Sequence, residues 1–257
     1  MEVNPKFGIE IECIYDPSKI KLDVHGYHAK DVSGELIPNW SITSDSSLST
    51  SYGVPKGCSS SSCSTTEIVS DVACGITEMM DYIDDFVKYM SKNGKYDLDE
   101  VICFNKSCGT HIHFSTYRGK ESTMMFTHRY KELRNRTLER IKKEYPHCYK
   151  DIKDNYFREY SKAQDGALID KGLRGEINYT AIAKGVEWRA FNLIGVKSWN
   201  DMRGIIRIGL EELQRIMEEY YDSGYKEYFE DTLTPKELQE EEDNIKILFN
   251  GDEVRDD

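Results

Sequence analysis

Residues 104–115, FNKSCGTHIHFS, hold the two imidazoles best placed for chemistry, His111 and His113. The run has strand character, and successive strand side chains point to opposite faces. His111 and His113 therefore share a face, while Ile112 and Phe114 point away. Residues 6–15, KFGIEIECIY, alternate in the same way, with Phe7, Ile9 and Ile11 on one side and Glu10 and Glu12 on the other. Their carboxylates stand roughly 7 Å apart along the strand. In residues 174–192, RGEINYTAIAKGVEWRAFN, Glu187 and Arg189 share a face, as do Arg174, Glu176 and Asn178. Glu67 opens a further strand pattern at residues 66–72, TEIVSDV. Carboxylates with one or two imidazoles suit Mg2+ or Mn2+, and also zinc; the preponderance of hard oxygen donors tilts the set toward Mg2+ or Mn2+. Arginines on the same face point to phosphate, whose oxygens a guanidinium binds two at a time. Taken singly, each pattern is equally a half-exposed strand with its charges in water.

Other reactive residues are weaker candidates. Asp45 and Ser46 lie in the turn that ends the stretch 40–48, WSITSDSSL, which can present hydroxyls and a carboxylate to a ligand or simply close on itself. His25 and His28 fall in a polar, glycine-containing excursion and read as exposed loop residues. Cys58 and Cys63 bracket four serines, and the same C-x4-C spacing recurs at Cys103 and Cys108. A four-thiolate zinc site is one reading; a mobile lid over the site is the preferred one. There is no G-x-x-x-x-G-K-[ST], kinase signature, G-x-S-x-G or H-E-x-x-H. Metal and arginines on an open sheet then point to phosphoryl transfer without a glycine-rich cradle.

The elements that must position these residues follow from periodicity. Strands are expected over residues 6–15, 40–48, 66–72 and 104–115, the last led into by 100–104, and a hairpin over 174–192 turning at Lys184–Gly185. Amphipathic helices are expected over residues 74–93 and 121–145, the second stopped by Pro146, with a short one at 155–161. Ser198 and Asp201 form a capping pattern for a helix whose Trp199, Met202, Ile206, Leu210, Leu213, Met217 and Tyr220 make the cleanest 3.6-residue stripe in the chain. The order predicts an α+β fold: a largely antiparallel sheet with helices packed on one face and the polar residues on the other. A catalytic unit at 1–221 is followed by an acidic helical extension at 222–257.

The chain has 257 residues, enough for a sizeable core, and a net charge of −12. From Glu211 onward there are 17 acidic and 5 basic residues, so the acidity belongs to the C-terminal region and the rest is neutral. No basic patch suggests nucleic acid, and no apolar run is long enough for a membrane span. The seven scattered cysteines and the absence of a signal-peptide pattern predict reduced thiols in a cytoplasm.

Five motifs in one order, F-G-I-E-I-E, W-x-x-x-x-D-x-S, E-I-V-S, C-G-x-H-I-H and V-E-W-R-A-F-N, resemble those of the amidoligase family. These are carboxylate–amine ligases related to glutamine synthetase and glutamate–cysteine ligase. The resemblance runs from Phe7 to Asn192 and implies a glutamine-synthetase-like sheet that uses ATP and Mg2+ or Mn2+. It implies Glu10, Glu12, Glu67, His111 and Glu187 as metal ligands, and Arg189 as the residue steadying the transferred phosphate. It places His111 at metal and phosphate, His113 beside it at nucleotide or substrate, and Arg174 and Asn178 at phosphate or substrate. Asp45 and Ser46 carry over more weakly. The implied partners are a carboxylate and an amine, from an amino acid, peptide or protein side chain, and an oligomer is compatible with this. Asp71 stands where the family's usual proline follows E-x-V-S, and the serine-rich insertion and the tail after about Tyr221 have no counterpart. Two other readings stand beside the ligase: a metal-dependent hydrolase, and a catalytically inert ligase-like interaction protein working through its acidic tail.

Overall fold

The structure, a computed structural model, describes residues 5–22, 37–115, 119–155, 177–181 and 185–222. Its centre is β1 (Lys6–Tyr15), whose strict alternation gives one apolar and one polar face. On one side β1 pairs with β3 (Ser64–Ser70) and the two-residue β4 (Ala73–Cys74). On the other it pairs with β6 (Thr110–Ser115) and the two-residue β5 (Ile102–Cys103). Outside these lie β2 (Trp40–Thr43), then β8 (Gly185–Phe191) and β7 (Ile177–Ala181), in the order β2-β3-β1-β6-β8-β7. Every one of these pairings is antiparallel. The fold is α+β, as the sequence predicts.

The apolar face is the core. Phe7, Ile9, Ile11, Ile68, Ile112, Phe114, Val186 and Trp188 are buried there. Each such side chain contributes about 1.5–3 kcal/mol on leaving water. Helices α1 (Ile76–Met90), α3 (Gly119–Glu144) and α5 (Trp199–Asp222) cover it, with α5 touching both of the others. The α5 stripe of Met202, Ile206, Leu210, Leu213 and Met217 is fully buried, and the Ser198 hydroxyl accepts from the Asp201 amide at 3.0 Å at its N-terminus. Gly209 lets this helix sit close: a Cβ there would lie 3.1 Å from Ile112 and 3.2 Å from Phe191. The modest apolar side of α3 is offset by ion pairs to α5. Arg136 reaches Glu219 at 2.6 Å, and Arg140 reaches Glu211 at 2.8 Å and the fully buried Glu212 at 3.0 Å.

Three local expectations change. Pro146 does stop α3, but it also opens α4 (Pro146–Asn155), because a proline is well suited to the first helical position, where its missing N–H is not needed. The short helix expected at 155–161 lies, past Asn155, outside the described residues. A short helix α2 (Leu98–Val101), opened by an Asp97–Glu100 capping box, precedes β5. Cys58 and Cys63, expected as reduced thiols, are joined in a disulfide; the serines between them fold into a turn, with Cys63 N donating to Ser59 O at 3.1 Å. Cys13, Cys74, Cys103, Cys108 and Cys148 are free. Among the described residues no helix is long and apolar enough to cross a membrane. The extension at 222–257 lies outside the described residues beyond Asp222, as do His25 and His28.

Candidate functional site

Strand register decides which side chains share a face. Glu10 stands opposite His111, and His111 opposite Arg189. Gly8 stands opposite His113, His113 opposite Glu187, and Glu187 opposite Asn178. Glu12 stands opposite Glu67, and Glu67 opposite Thr43. Directly opposed residues share one face, so six strands bring these positions to the polar side of the sheet. The register shifts between Thr110 and His111, where β6 meets β8, and this sets His111 against Arg189.

The side chains form a continuous run. His113 Nε2 lies 2.8 Å from Glu10 Oε1, and His111 Nδ1 lies 3.0 Å from Glu10 Oε2. His111 Nδ1 is also 3.2 Å from Glu187 Oε1, and Arg189 Nη2 is 2.9 Å from the same oxygen. His111 and Glu187 are buried, at 4% and 3% exposure, and His113 is the more open imidazole. Arg189 Nε is buried with no hydrogen-bond partner among the described residues. Glu12 is turned toward the chain itself: its Oε2 accepts from the Gly109 amide at 2.6 Å. Glu67 Oε2 accepts from the Thr43 hydroxyl at 3.1 Å.

The titration of this cluster follows from burial and crowding. Burial alone would raise Glu10, but hydrogen bonds and charge from His111 and His113 outweigh it and hold the carboxyl well below its usual range. Burial pushes Glu12 up. Glu67 is pushed up to about 7, first by burial and then by the negative charges of Glu10 and Glu12. Burial opposes the charged form of both imidazoles, yet Glu10 and Glu187 bring both above the ordinary histidine value. Carboxylates crowded enough to keep one of them protonated near neutrality make a site that favours a cation.

The donor set fits a divalent ion. One ligand atom each from Glu10, His111 and Glu187 lies within 4.8 Å of the others. Glu67 and Glu12 border this trio on the same face, opposed across β1 and β3. Asp45 is less engaged: its carboxylate accepts from the Ser47 amide at 2.7 Å and the Ser47 hydroxyl at 2.8 Å, closing an Asx turn, and Ser46 is exposed. Asn178 faces Glu187 in register, with its side chain outside what is described, and Arg174 lies outside the described residues altogether. Three supporting groups escape sequence reasoning. Thr43 and the Gly109 amide hold carboxylates, and Asn192 Nδ2 ties the 104–109 loop by donating to Asn105 O at 2.9 Å and Cys108 O at 2.5 Å. Asn192 closes the V-E-W-R-A-F-N motif, which is the one signal that could have pointed to it.

Neither a curated protein nor a solved structure matches the chain. A protein-family model does, over residues 4–192, and its description is "putative amidoligase enzyme". That span covers all five motifs and every residue of the polar face described above. The chain belongs to the amidoligase enzyme family.

Proposed function

We propose that the chain is an ATP-dependent carbon–nitrogen ligase that joins a carboxylate to an amine through an acyl phosphate, releasing ADP and phosphate. The observation that carries this reading is the unbroken run His113–Glu10–His111–Glu187–Arg189 on one sheet face of an amidoligase-family chain. Glu10, His111 and Glu187, with Glu67 and Glu12 beside them, would hold Mg2+ or Mn2+. When bound, such an ion supplies charge neutralisation at the triphosphate and at the transferring phosphoryl group. The chain's own residues do the rest. The Arg189 guanidinium, with a buried N–H left over, offers fixed positive charge to the phosphoryl oxygens. Glu187 orients both that guanidinium and the His111 ring. His113, the more open imidazole, would touch nucleotide or substrate. Asn178 and Arg174 are further candidates for phosphate or substrate. The phosphoryl group passes to the substrate carboxylate, which is a poor electrophile until so activated. The amine then attacks the acyl carbon, forming the amide and expelling phosphate.

ADP release from purified protein supplied with MgATP and a pool of amino acids tests this. ADP should accumulate only with ATP, a divalent ion and a carboxylate–amine pair, and Glu187→Ala should abolish it. Bond-breaking activity that persists without ATP would instead favour a metal-dependent hydrolase, for which the Glu10–His111–Glu187 trio is also suited. ADP formation undiminished in Glu187→Ala would overturn the site assignment.

A further inference from the structure

Two C-x4-C pairs meet at one end of β1. Cys58 and Cys63 bracket the serine turn before β3, while Cys103 ends β5 and Cys108 precedes β6. Register sets the two arms on either side of the last residues of β1. Tyr15 pairs with Ser64, the residue after Cys63, on one side of β1, and Ile14 pairs with Cys103 on the other. Ile14, Leu48 and Cys108 form a small buried cluster apart from the main core, and the side chains of Cys63 and Cys103 both pack against it. Three of the four cysteine side chains thus share one packing cluster, and the fourth, Cys58, is bonded to one of them.

We propose that in the reduced chain Cys58, Cys63, Cys103 and Cys108 together bind a structural Zn2+ ion. Two short cysteine pairs delivered by separate arms is the usual construction of a four-thiolate site, and a four-residue gap is the upper end of the usual spacing. The disulfide and the metal exclude each other. A dithiol reductant delivers two electrons and two protons to the Cys58–Cys63 bond and is itself oxidised to a disulfide. Zn2+ then displaces the protons of the four thiols to solvent. Among the described residues the ligand sets already assembled are Glu10–His111–Glu187 and His147–Cys148–Asp201; the four sulfurs are not among them while Cys58 and Cys63 are bonded to each other, and reduction would free that pair to turn toward Cys103 and Cys108. Its consequence is local: the metal would pin the 104–109 loop, whose Gly109 amide holds Glu12.

Cobalt binding by the full-length chain tests the proposal independently of the ligase reading. Reduced protein titrated with Co2+ should develop the thiolate-to-cobalt charge-transfer band and intense d–d bands of a tetrahedral four-thiolate centre. These bands should saturate at about one equivalent and bleach on addition of Zn2+. Protein carrying the Cys58–Cys63 disulfide should not develop them. Cys58→Ser and Cys103→Ser, both at partly exposed positions, should lose or shift the charge-transfer band, and Cys148→Ser should leave it intact. Reduced wild-type protein without a thiolate band would overturn the proposal. So would a band unchanged in both Cys58→Ser and Cys103→Ser, or one lost in Cys148→Ser instead.

Discussion

At the scale of single residues, the site is a set of charges held in place by neighbours that do no chemistry. Gly109 shows how tight the fit is. A Cβ there would come 2.6 Å from His111 Nε2 and 3.2 Å from Glu12 Oε2. Gly109→Ala should therefore displace both side chains and cut ADP formation by about 100-fold, the scale of losing one preorganised group, while the chain remains folded by circular dichroism. The pH dependence follows from the same crowding. Burial and the neighbouring Glu10 and Glu12 charges push Glu67 up to about 7 in the folded chain, from the 4.5 of an ordinary glutamate. Its contribution to stability is present in full below 4.5 and is lost as pH rises through about 7. His111 and His113, also raised, lose theirs above the ordinary histidine value. Glu10, lowered, loses its contribution only in strong acid. The metal-free chain should thus melt at a higher temperature at pH 5.5 than at pH 8. Mg2+ should narrow or reverse that difference by binding the ionised carboxylates, and Glu67→Gln should flatten it. A metal-free chain more stable at the higher pH would contradict these directions. The alternation at Glu10/Glu12, His111/His113 and Glu187/Arg189 made the reactive residues legible in the sequence. Thr43 and the Gly109 amide were not, because a hydroxyl or a backbone N–H acquires a role only once register brings a carboxylate to it.

Among the elements, β1 and α5 carry the fold, one by pairing with four strands and the other by packing on the core between α1 and α3. Both were plain in the sequence, since a strict two-residue period and a long 3.6-residue stripe are the strongest local signals a chain can give. Trp188, fully buried between sheet and helices, should cost about 3–5 kcal/mol when cut to alanine, read by chemical denaturation. The α3–α5 ion pairs were not legible, because charged residues on a helix read as solvated until a partner helix is placed beside them. Arg140 is paired with Glu212, which is wholly buried and retains Arg215 at 3.0 Å. Arg140→Ala should then cost about 2 kcal/mol rather than the full cost of a buried, unpaired charge. A change below a few tenths of a kcal/mol would show that Arg215 and solvent suffice. Pro146 was legible as a break but not as a start, since the same residue serves both and only the helix that follows decides.

For the whole molecule, the polar face is one surface assembled from segments far apart in sequence, and the family match ends at residue 192, before the acidic region begins. Which segments become neighbours was not legible in periodicity; the motif order supplied it, and the strand order β2-β3-β1-β6-β8-β7 gives the physical form of that adjacency. The C-x4-C spacing of Cys58 and Cys63 was legible, whereas their bond depends on a serine turn that spacing alone does not reveal. Catalysis is assigned entirely to the sheet face, so a chain ending at Asp222 should keep its melting temperature and its ADP formation; loss of either would give the extension a part in the working unit. The most direct measurement of the central claim is calorimetric titration of ATP into the full-length chain, with and without Mg2+, for wild type and Glu10→Gln. Binding should require Mg2+ and should weaken in Glu10→Gln by at least the roughly tenfold that loss of even an outer-shell metal partner costs. Nucleotide binding indifferent to both Mg2+ and Glu10, or no binding at all, would contradict it.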